Sequence, residues 1–458
     1  MKTLFLSLFF IPVVVLAQVS SAEVDEIVET WMSNHGSPAI VGCAVKNNEV
    51  IWMDAYGDAH AANNIPATVD TPFMLASVSK TYTGTAMLRL INSGLASADD
   101  PVNDHLDFDV IHPDFETPIT IGQLLTHTSG IKDNWGVMPY CDGDCATSLY
   151  DFMYSYFTPG ESNYSATQNF SSDEPGTSYD YSNIGNALIG VVVEGITEMG
   201  FNEFCEQEIF EPMCMDNTHW FLSEFDDVSL IATPHEYIGN IVSPIDHYGY
   251  PDYPDGQLRS SIRDVASWLL MNLNNGSFNF LEILPESLAQ ESMSPIFGGD
   301  QGYVWYSFSL EGDTVWGHNG GDAGVSTDIC VSKENDVAVA ILSNGEDNLF
   351  SLMADVYVWA KDTNGTGLGW PDCATDISEV EEAELNIYPN PAHSEVRISH
   401  DLATAGQIHI ISVDGRLVLN QSFVSRCLVV SVEDLESGVY LVEVFSANQR
   451  QAATLVIE

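Results

Sequence analysis

The chain has 458 residues, of which 13 are Lys or Arg and 66 are Asp or Glu, so its formal net charge at pH 7 is −53. Hydrophobic residues make up 45% of the sequence, enough for packed cores, which rules out wholesale disorder. The charge argues against nucleic acid or an anionic membrane surface as a partner, because both are polyanions that repel an acidic protein.

The first residues are typical of an export signal. Lys2 precedes the apolar run Leu4–Ala17, and small residues suited to cleavage end at Ala17 and again at Ala22. The run is shorter than the about 20 apolar residues that a membrane-spanning helix needs, and no later segment is long and apolar enough. We therefore predict a signal peptide at residues 1–22 and a mature protein that is secreted or lies at the cell surface. The alternative is a membrane anchor.

Strand patterns lie at both ends of the next 340 or so residues, and helical patterns lie between them. A helix is predicted at Ala22–Asn34, followed by a hairpin of Ala39–Lys46 and Val50–Tyr56. Helical patterns and polar loops continue to about Pro295. The later predicted elements are strands at Tyr303–Leu310, Thr314–Trp316, Val325–Val331 and Val337–Ser343 and a helix at Asp347–Lys361. This order predicts an α+β fold with one sheet built from both ends and a helical insert.

The C-terminal part has a different composition and a different hydrophobic pattern. Residues 363–384 are rich in Gly, Asp, Glu and Thr and are predicted to be a linker. Seven short alternating runs follow within 385–458, with Asp414-Gly415 as a tight hairpin turn. They predict a small all-β sandwich.

The chain has eight cysteines, and export permits disulfides. Cys141 and Cys145 are a candidate local pair, and Cys205 and Cys214 are a second. Neither C-x2-C nor H-E-x-x-H occurs, so we expect no metal and no cofactor.

Ser77-Val78-Ser79-Lys80 is the first motif that suggests catalysis. An apolar pattern of helical period runs over Val78–Leu90, so Ser77 is predicted at a helix N-terminus with Lys80 one turn further along the same face. A serine hydroxyl becomes a nucleophile when a base takes its proton, and a lysine is such a base if burial and nearby cations lower its pKa. The alternative is that Ser77 only caps the helix. A second S-x-x-K, at 129–132, contains a glycine and is predicted to be a turn.

Tyr181-Ser182-Asn183 is the second motif, in a loop that enters a helix predicted at Ala187–Glu198. A phenol near a lysine ammonium can lose or relay a proton, and an adjacent amide can hold the lysine or a substrate carbonyl. The alternative is a capped loop with an exposed tyrosine.

His318-Asn319-Gly320-Gly321 is the third motif and lies between strand patterns. Its glycines let a substrate approach the backbone closely, and the Gly321 N–H is predicted to form an oxyanion hole with the Ser77 N–H. The ring of His318 is predicted to place a hydrogen-bond donor on the wall of the site. The alternative is a glycine-rich hairpin with a surface histidine.

The three motifs together resemble the serine β-lactamase and penicillin-binding-protein superfamily, closest to the branch of class C β-lactamases, D-alanyl-D-alanine carboxypeptidases and esterases. The resemblance covers roughly Ala22 to Lys361. It includes Leu75–Thr81, Ala98–Val102, Ile119–Ile131, Pro175-Gly176 and Ile209–Pro212. It implies a β-lactamase-like hydrolase domain at 23–362, with an antiparallel sheet flanked by helices.

In that family the S-x-x-K serine forms an acyl-enzyme. The resemblance therefore implies that Ser77 is the nucleophile and that Lys80 and Tyr181 share the acid/base work. It also implies substrate-binding roles for Asn183 and for residues 318–321. Which of Lys80 and Tyr181 is the base stays open, because the two groups titrate as a coupled pair.

The third motif departs from the family. The β-lactamases usually carry Lys-Thr-Gly there, where an ammonium and a hydroxyl receive a substrate carboxylate, whereas this chain has His318 and Asn319. An unperturbed histidine is mostly neutral at pH 7. We therefore expect a secreted serine hydrolase with a small-molecule or peptide substrate, an ester, amide or D-peptide being favoured over a β-lactam.

The alternative to an enzyme is a catalytically silent surface binder or scaffold that keeps the fold. A Ser-His-Asp α/β-hydrolase is disfavoured, because the chain contains no G-x-S-x-G.

The tail resembles a second family. Asn386–Pro391, Asp414–Arg416 and Ser437–Val442 are similar to the C-terminal sorting domain of type IX secretion in Bacteroidetes. The resemblance implies that the secretion machinery is a partner. An unrelated carbohydrate-binding or adhesive sandwich is the alternative.

Overall fold

The computed structural model describes residues 22–238, 241–279 and 281–363 and, in the C-terminal part, 385–399, 406–412, 417–423, 427–433, 435, 437–446 and 449–457. The predicted signal peptide, nearly all of the predicted linker and the Asp414-Gly415 turn lie outside the described residues. A larger compact unit holds 22–201 and 217–363, and a smaller one holds 202–216 and the C-terminal strands. Residues 202–216 are thus grouped apart from the rest of the predicted hydrolase domain.

The larger unit is built on a seven-stranded antiparallel sheet. Its strands, in spatial order, are Tyr306–Leu310, Asp313–Asp322, Val325–Ser332, Val337–Ser343, Ala39–Lys46, Glu49–His60 and Ile65–Pro66. Strands from the two ends of the unit meet where Ala39–Lys46 pairs with Val337–Ser343. The predicted sheet from both ends of the domain is therefore confirmed. Asn47 and Asn48 turn the first hairpin with φ of +50° and +64°, as a tight two-residue turn requires.

Helices cover the central strands. The nine described α-helices are Ala22–His35, Ser79–Asn92, Ile121–Leu125, Leu149–Phe157, Asn183–Thr197, Phe201–Cys205, Ile262–Leu273, Glu286–Ser292 and Phe350–Asp362. The first and last of these pack their apolar residues on the sheet in one core. Helix Ile262–Leu273 contacts the same two central strands as Phe350–Asp362. Every residue of Val337–Ser343 is buried, so both faces of the sheet are covered.

Among the described residues, four short strand pairs lie outside the seven-stranded sheet. They are Pro72–Met74 with Arg259–Ser261, Cys141–Asp142 with Tyr248–Gly249, His235–Ile238 with Ile241–Pro244, and Ser277–Phe278 with Leu281–Glu282. The first of these pairs leads directly into the Ser77 turn, and the second carries the Cys141–Cys145 disulfide.

The C-terminal strands form two small antiparallel sheets. One contains Asn386–Tyr388, Glu395–Ser399 and Cys427–Ser431, and the other contains Leu417–Phe423, Gly406–Ser412, Gly438–Ser446 and Gln449–Ile457. Residues of both sheets share one apolar core, with Ile398 from the first and Ile410 from the second fully buried. The predicted all-β sandwich is therefore confirmed.

Three expectations differ from the structure. The helix predicted at Ala187–Glu198 begins four residues earlier and covers Asn183–Thr197, so Asn183 lies in the helix and not in the preceding loop. The predicted disulfide between Cys205 and Cys214 is not formed: Cys205 is a buried thiol, while Cys214 is engaged in another disulfide. Helical turns at Glu206–Phe210 and Glu211–Met213 occupy the chain between the two cysteines and carry them apart. The strand predicted at Thr314–Trp316 extends over Asp313–Asp322, so the third motif lies within a strand and not between two strands.

Candidate active site

Ser77 lies at a sharp change of chain direction. Leu75 still donates a backbone hydrogen bond to Leu258 at 2.8 Å, and Ala76 then adopts a left-handed φ of +46°. A single turn at Ala76–Val78 runs straight into helix Ser79–Asn92. Within residues 71–80, Ser77 is the one residue that is not buried. The strained turn therefore presents the Ser77 side chain at the surface of the core, beside the start of a helix.

Lys80 is fully buried and its ammonium has three hydrogen bonds. It donates to the Ser77 hydroxyl at 3.2 Å, to the Asn183 amide oxygen at 2.7 Å and to the Asp255 backbone carbonyl at 2.6 Å. All three donor positions of an ammonium group are thus used. The predicted proximity of the first motif to Asn183 of the second is present in the structure.

Acidic groups surround the Lys80 ammonium. Burial alone lowers its pKa, but the Tyr181 phenol, the Asp255 carboxyl and Asp133 together outweigh burial and raise the pKa above its usual value. A lysine was expected to act as a base if nearby cations lowered its pKa. The structure has the opposite environment, and the direction of the pKa shift favours the ammonium form of Lys80.

Tyr181 lies between Lys80 and two histidines. The Lys80 nitrogen is 5.0 Å from the centre of the Tyr181 ring, and the His127 ring centre is 4.5 Å from it. Burial and the charge of Lys80 hold the pKa of His127 well below its usual value, so this ring is neutral. The Ser182 N–H donates to Nδ1 of His127 at 3.3 Å, which places the proton of the neutral ring on Nε2.

His127 belongs to the segment Ile119–Ile131 that carries part of the family resemblance, and no catalytic role was predicted for it. It turns the chain, with φ of +54°, and the same turn brings its ring against Tyr181. The aromatic neighbour could not be inferred from the sequence, because the two residues are 54 positions apart.

Asp133 organises the second motif. Its carboxylate accepts hydrogen bonds from the Ser182 hydroxyl and the Ile184 N–H, both at 3.1 Å, and from the Asn183 amide nitrogen at 2.8 Å. These bonds hold the first turn of helix Asn183–Thr197, where a carboxylate also interacts favourably with the helix dipole. Asp133 was not among the predicted site residues.

The third motif faces the Ser77 turn along a strand. A β-carbon added to Gly320 would lie 2.6 Å from the Leu75 carbonyl and 2.9 Å from the Ser77 nitrogen, so the strand and the turn are in direct contact there. Strand Tyr306–Leu310 pairs with this strand only as far as Gly317. Beyond Gly317, one edge of the strand is therefore free of that partner.

Side chains of the third motif alternate between the two faces of the sheet. His318 shares a face with Gly320, and its ring centre is 6.3 Å from that of Tyr181. Asn319 faces the other way, and its amide oxygen accepts a hydrogen bond from the Tyr306 hydroxyl at 2.6 Å. Asn319 is not among the described residues that line the cleft, and its predicted substrate-binding role stays a prediction.

His318 is a neutral donor. Burial first, and then the charge of Lys80, lower its pKa to about 3. Its Nδ1 lies 2.7 Å from the Asn319 carbonyl, which can only accept, so Nδ1 carries the proton and Nε2 is an acceptor. The site thus lacks a charged group at the position where family members have a lysine.

A cleft of about 480 Å³ opens beside the nucleophile turn. It is lined by Ala76, Ser77, Trp135, Met138, Pro139, Tyr140, Asn183, Tyr250, Asp252, Asp255, Gly256, Gly321 and Asp322. Three of the predicted site residues, Ser77, Asn183 and Gly321, contribute to its walls. A β-carbon on Gly321 would meet no atom within 4 Å, so this glycine borders open space.

Two buried carboxyl groups lie under the cleft. Burial raises the pKa of Asp252 to about 6 and that of Asp255 well above its usual value, and the negative charge of Asp252 adds to the rise for Asp255. Both belong to the loop that precedes Arg259–Ser261, and the Asp255 backbone carbonyl also binds Lys80. Neither was predicted as a site residue, because a Tyr- and Pro-rich loop carries no periodic signal.

Family models match the chain in two stretches. Residues 24–362 match the model described as Beta-lactamase. The chain belongs to the β-lactamase family. Residues 386–458 of this β-lactamase-family protein match the model described as Secretion system C-terminal sorting domain, which indicates secretion or a cell-surface location. Both expected family resemblances are confirmed.

Curated relatives are distant and longer. Beta-lactamase-like protein 2 of Dictyostelium discoideum is 27% identical over 316 residues, which are 66% of this chain and 52% of that protein. Protein flp of Staphylococcus aureus strain COL is 22% identical over 342 residues, 72% of this chain and 64% of that protein. The chain thus spans between about half and two thirds of the length of these relatives.

Solved structures share the fold. The octameric penicillin-binding protein homologue from Pyrococcus abyssi superposes with a TM-score of 0.61 at 19% identity, covering 95% of this chain and 96% of that one. The D-amino acid amidase from Ochrobactrum anthropi SV3, complexed with L-phenylalanine amide, gives a TM-score of 0.57 at 19% identity, covering 74% and 97%. At these identities the likeness supports the fold alone.

Two further features, metal binding and membrane spanning, concern the part of the chain that the structure describes. There, no group of three or more His, Cys, Asp or Glu residues is arranged to hold a metal ion. Within the same residues, no single helix is both long and apolar enough to cross a membrane. The bent pair Asn183–Thr197 and Phe201–Met213 meets that test only when counted together.

Proposed function

We propose that this protein is a secreted serine hydrolase that acts on esters or amides through an acyl-enzyme at Ser77. The observation that carries the proposal is the 3.2 Å hydrogen bond from the Lys80 ammonium to the Ser77 hydroxyl, in a chain of β-lactamase fold. A pure binder has no need for a hydroxyl held beside a buried ammonium and a phenol. The sorting domain supports the secreted location.

Acylation begins with attack of the Ser77 hydroxyl oxygen on the substrate carbonyl. In the form of the Lys80–Tyr181 pair that holds one proton between the two groups, Tyr181 is the proposed acceptor of the Ser77 proton, and the centre of its ring lies 5.0 Å from the Lys80 nitrogen. Tyr181 then returns the proton to the leaving alcohol or amine. A water molecule enters, Tyr181 takes its proton, and attack on the acyl-enzyme restores the Ser77 hydroxyl.

Negative charge forms on the carbonyl oxygen in both steps. The backbone N–H groups of Ser77 and Gly321 are the proposed donors, since both residues line the cleft and Gly320 packs directly on the Ser77 nitrogen. Such donors stabilise the oxyanion without reorganising during the reaction.

The substrate is proposed to be an ester or amide rather than a β-lactam. His318 is neutral throughout the working pH range, so the site has no counterpart of the cation that receives a substrate carboxylate in β-lactamases. The net charge of −53 further disfavours anionic substrates. Hydrolysis of D-amino-acid amides is consistent with the name of the amidase that shares the fold.

Labelling with a fluorophosphonate probe tests the nucleophile. We expect one adduct on Ser77, found by peptide mass spectrometry, and a loss of about a thousandfold or more in p-nitrophenyl acetate hydrolysis for Ser77→Ala. Ser129→Ala, in the second S-x-x-K, is the matched control and should still be labelled.

The alternative is a non-catalytic member of the family that only binds. No label on Ser77 between pH 6 and pH 10, together with equal ester hydrolysis by the wild type and Ser77→Ala, would favour this binder. Nitrocefin in the same assay tests β-lactam hydrolysis, which we expect to be much slower than ester hydrolysis.

A further inference from the structure

Two aspartates meet in the wall of the cleft next to Lys80. Asp252 directly precedes the single helical turn Tyr253–Asp255, so the two acidic residues are three positions apart, and this spacing places side chains on the same side of a tight turn. The carboxyl groups of Asp252 and Asp255 are hydrogen-bonded to each other. Both side chains are buried, so bulk water is largely excluded from this contact.

A hydrogen bond between two carboxyl groups requires a proton, because an ionised carboxylate has only acceptors. Burial raises the pKa of both groups, and their hydrogen bond raises the pKa of Asp255 and lowers that of Asp252. Asp255 is therefore the protonated donor and Asp252 the ionised acceptor near pH 8. The pair then carries one proton and one negative charge, which avoids the repulsion between two buried carboxylates.

The loop that carries the pair is fixed to the helix that begins beside the nucleophile. The Thr83 hydroxyl donates to the Pro254 carbonyl at 2.6 Å, and the Lys80 ammonium donates to the Asp255 carbonyl at 2.6 Å. The buried Gln257 side chain makes hydrogen bonds to two further backbone groups. These bonds hold the carboxyl pair at a constant position relative to Lys80.

Lys80 is the cation beside the pair, and the other titratable groups that face it are acids. The charge of Lys80 lowers the pKa of both carboxyl groups, whereas the charge of Asp133 raises it. The phenols of Tyr140, Tyr156 and Tyr250 approach from other parts of the chain, and burial above all raises the pKa of each, so they are neutral. The charge of the pair therefore acts mainly on Lys80.

A negative charge beside Lys80 influences how many protons the Lys80–Tyr181 pair holds. In the proposed mechanism, the active form has one proton between these two groups, and the form with a proton on each of them is inactive. A nearby negative charge stabilises the second form, because that form is the more positive one. The charge therefore moves the rise in activity with pH to a higher pH.

We propose that Asp252 and Asp255 are positioning residues that share one proton, and that their single negative charge, acting through Lys80, sets the lower pH limit of catalysis. The Asp255 proton keeps this charge at one. Without it, two charges would act on Lys80, and activity would begin only at a still higher pH. This inference rests on the proposed hydrolase function and adds the groups that control its pH range.

Two amide variants test the inference. Asp252→Asn leaves Asp255 protonated, because burial is the largest cause of its raised pKa, and the pair loses its charge. Asp255→Asn keeps the charge on Asp252, since the asparagine NH2 group replaces the O–H donor. We expect the pH of half-maximal kcat/KM for p-nitrophenyl acetate to be about one unit lower in Asp252→Asn than in the wild type, and to shift by less than about 0.3 unit in Asp255→Asn.

The same pH profiles contain the outcomes that contradict the proposal. Equal half-maximal pH values for the wild type and Asp252→Asn would overturn it. An equally large decrease in both variants would also overturn it, because both aspartates would then be ionised in the wild type. Asp109→Asn is the control: it removes a charge from an exposed aspartate that does not line the cleft, and its profile should match that of the wild type.

A titration without substrate separates this proposal from the hydrolase function. The ultraviolet absorbance of the Tyr181 phenolate is obtained by subtracting the titration of the same protein carrying Tyr181→Phe, and it follows the Lys80–Tyr181 pair without turnover. A midpoint about one unit lower in Asp252→Asn than in the wild type supports the coupling even if fluorophosphonate labelling shows that Ser77 is not a nucleophile. Equal midpoints, with Ser77 labelled normally, refute the coupling and leave the hydrolase function standing.

Discussion

The Asp133 carboxylate fixes the orientation of the Asn183 amide, because it accepts a hydrogen bond from the amide nitrogen at 2.8 Å. The amide oxygen must then face the other way, where it accepts from the Lys80 ammonium at 2.7 Å. A loop aspartate thus controls, through one amide group, where the positive charge beside Ser77 is held.

Asp133→Asn tests this control. Asparagine keeps an oxygen for the Ser182 and Ile184 donors but turns an NH2 group toward Asn183, whose amide must flip and withdraw its oxygen from Lys80. We expect kcat/KM for p-nitrophenyl acetate to fall by about tenfold or more, with about 1 kcal/mol lost from the free energy of unfolding in urea.

Asp151→Asn is the control for that change. Asp151 accepts from Ser148 at the start of helix Leu149–Phe157, so it is also a carboxylate at a helix N-terminus, but it does not line the cleft. Activity of Asp133→Asn equal to that of this control would show that the Asn183 orientation does not matter.

Adjacent glycines of the third motif should differ in their tolerance of a side chain. A β-carbon on Gly320 would lie 2.3 Å from the Thr327 hydroxyl and 2.6 Å from the Leu75 carbonyl, both of them buried. Gly320→Ala should therefore push the strand from the Ser77 turn, lower the thermal midpoint by several degrees and reduce kcat/KM by about a hundredfold.

Gly321→Ala is the matched comparison, since its β-carbon would meet nothing within 4 Å. Its thermal midpoint should equal that of the wild type, while its KM rises because the methyl group enters the cleft. Equal midpoints for the two variants in differential scanning calorimetry would contradict the close packing at Gly320.

His318 should not contribute to the pH profile near neutrality. Its pKa of about 3 means that no proton is gained or lost on this ring between pH 5 and pH 9. We expect kcat/KM profiles of the wild type and of His318→Gln to have the same shape in that range, with only their heights different. A step near pH 6.5 that disappears in His318→Gln would show that the ring titrates normally.

The sequence was sufficient for the parts of the site that depend on local geometry. Ser77 and Lys80 are three residues apart at the start of a helix, a spacing that puts them on one face whatever surrounds them. A continuous apolar run likewise predicted Val337–Ser343 with its observed bounds, because a strand buried on both faces is apolar at nearly every position.

The remaining parts depend on loops that approach the site from far along the chain. Asp133 and Asp252 lie in segments without periodicity, and an acidic chain offers many aspartates with the same local context. The protonation of Lys80 was not predictable either. Its pKa is raised by groups 53 to 175 positions away, whose number and sign only the folded chain defines.

Asp252→Asn should be more stable than the wild type at pH 8. Its pKa is raised by burial to about 6, so the folded protein holds this proton more tightly than the unfolded chain, whose aspartates keep their usual pKa near 3.8. The charged form therefore lowers stability above pH 6, and this cost disappears as the pH falls toward 4. We expect the variant to be more stable by about 1–3 kcal/mol at pH 8 and the difference to shrink toward zero near pH 4.

Asp313→Asn should change the stability of the folded protein in the opposite direction. The Lys361 ammonium, 2.7 Å away, and Tyr357 lower the pKa of Asp313, so its charge stabilises the folded protein above the usual pKa. This variant should be less stable than the wild type at pH 8, with the loss fading as the pH falls through the lowered pKa. Urea unfolding of the three proteins at pH 4, 6 and 8 checks both trends. If Asp252→Asn is destabilised at pH 8 as Asp313→Asn is, then the folded protein stabilises the charge of Asp252 and burial does not raise its pKa.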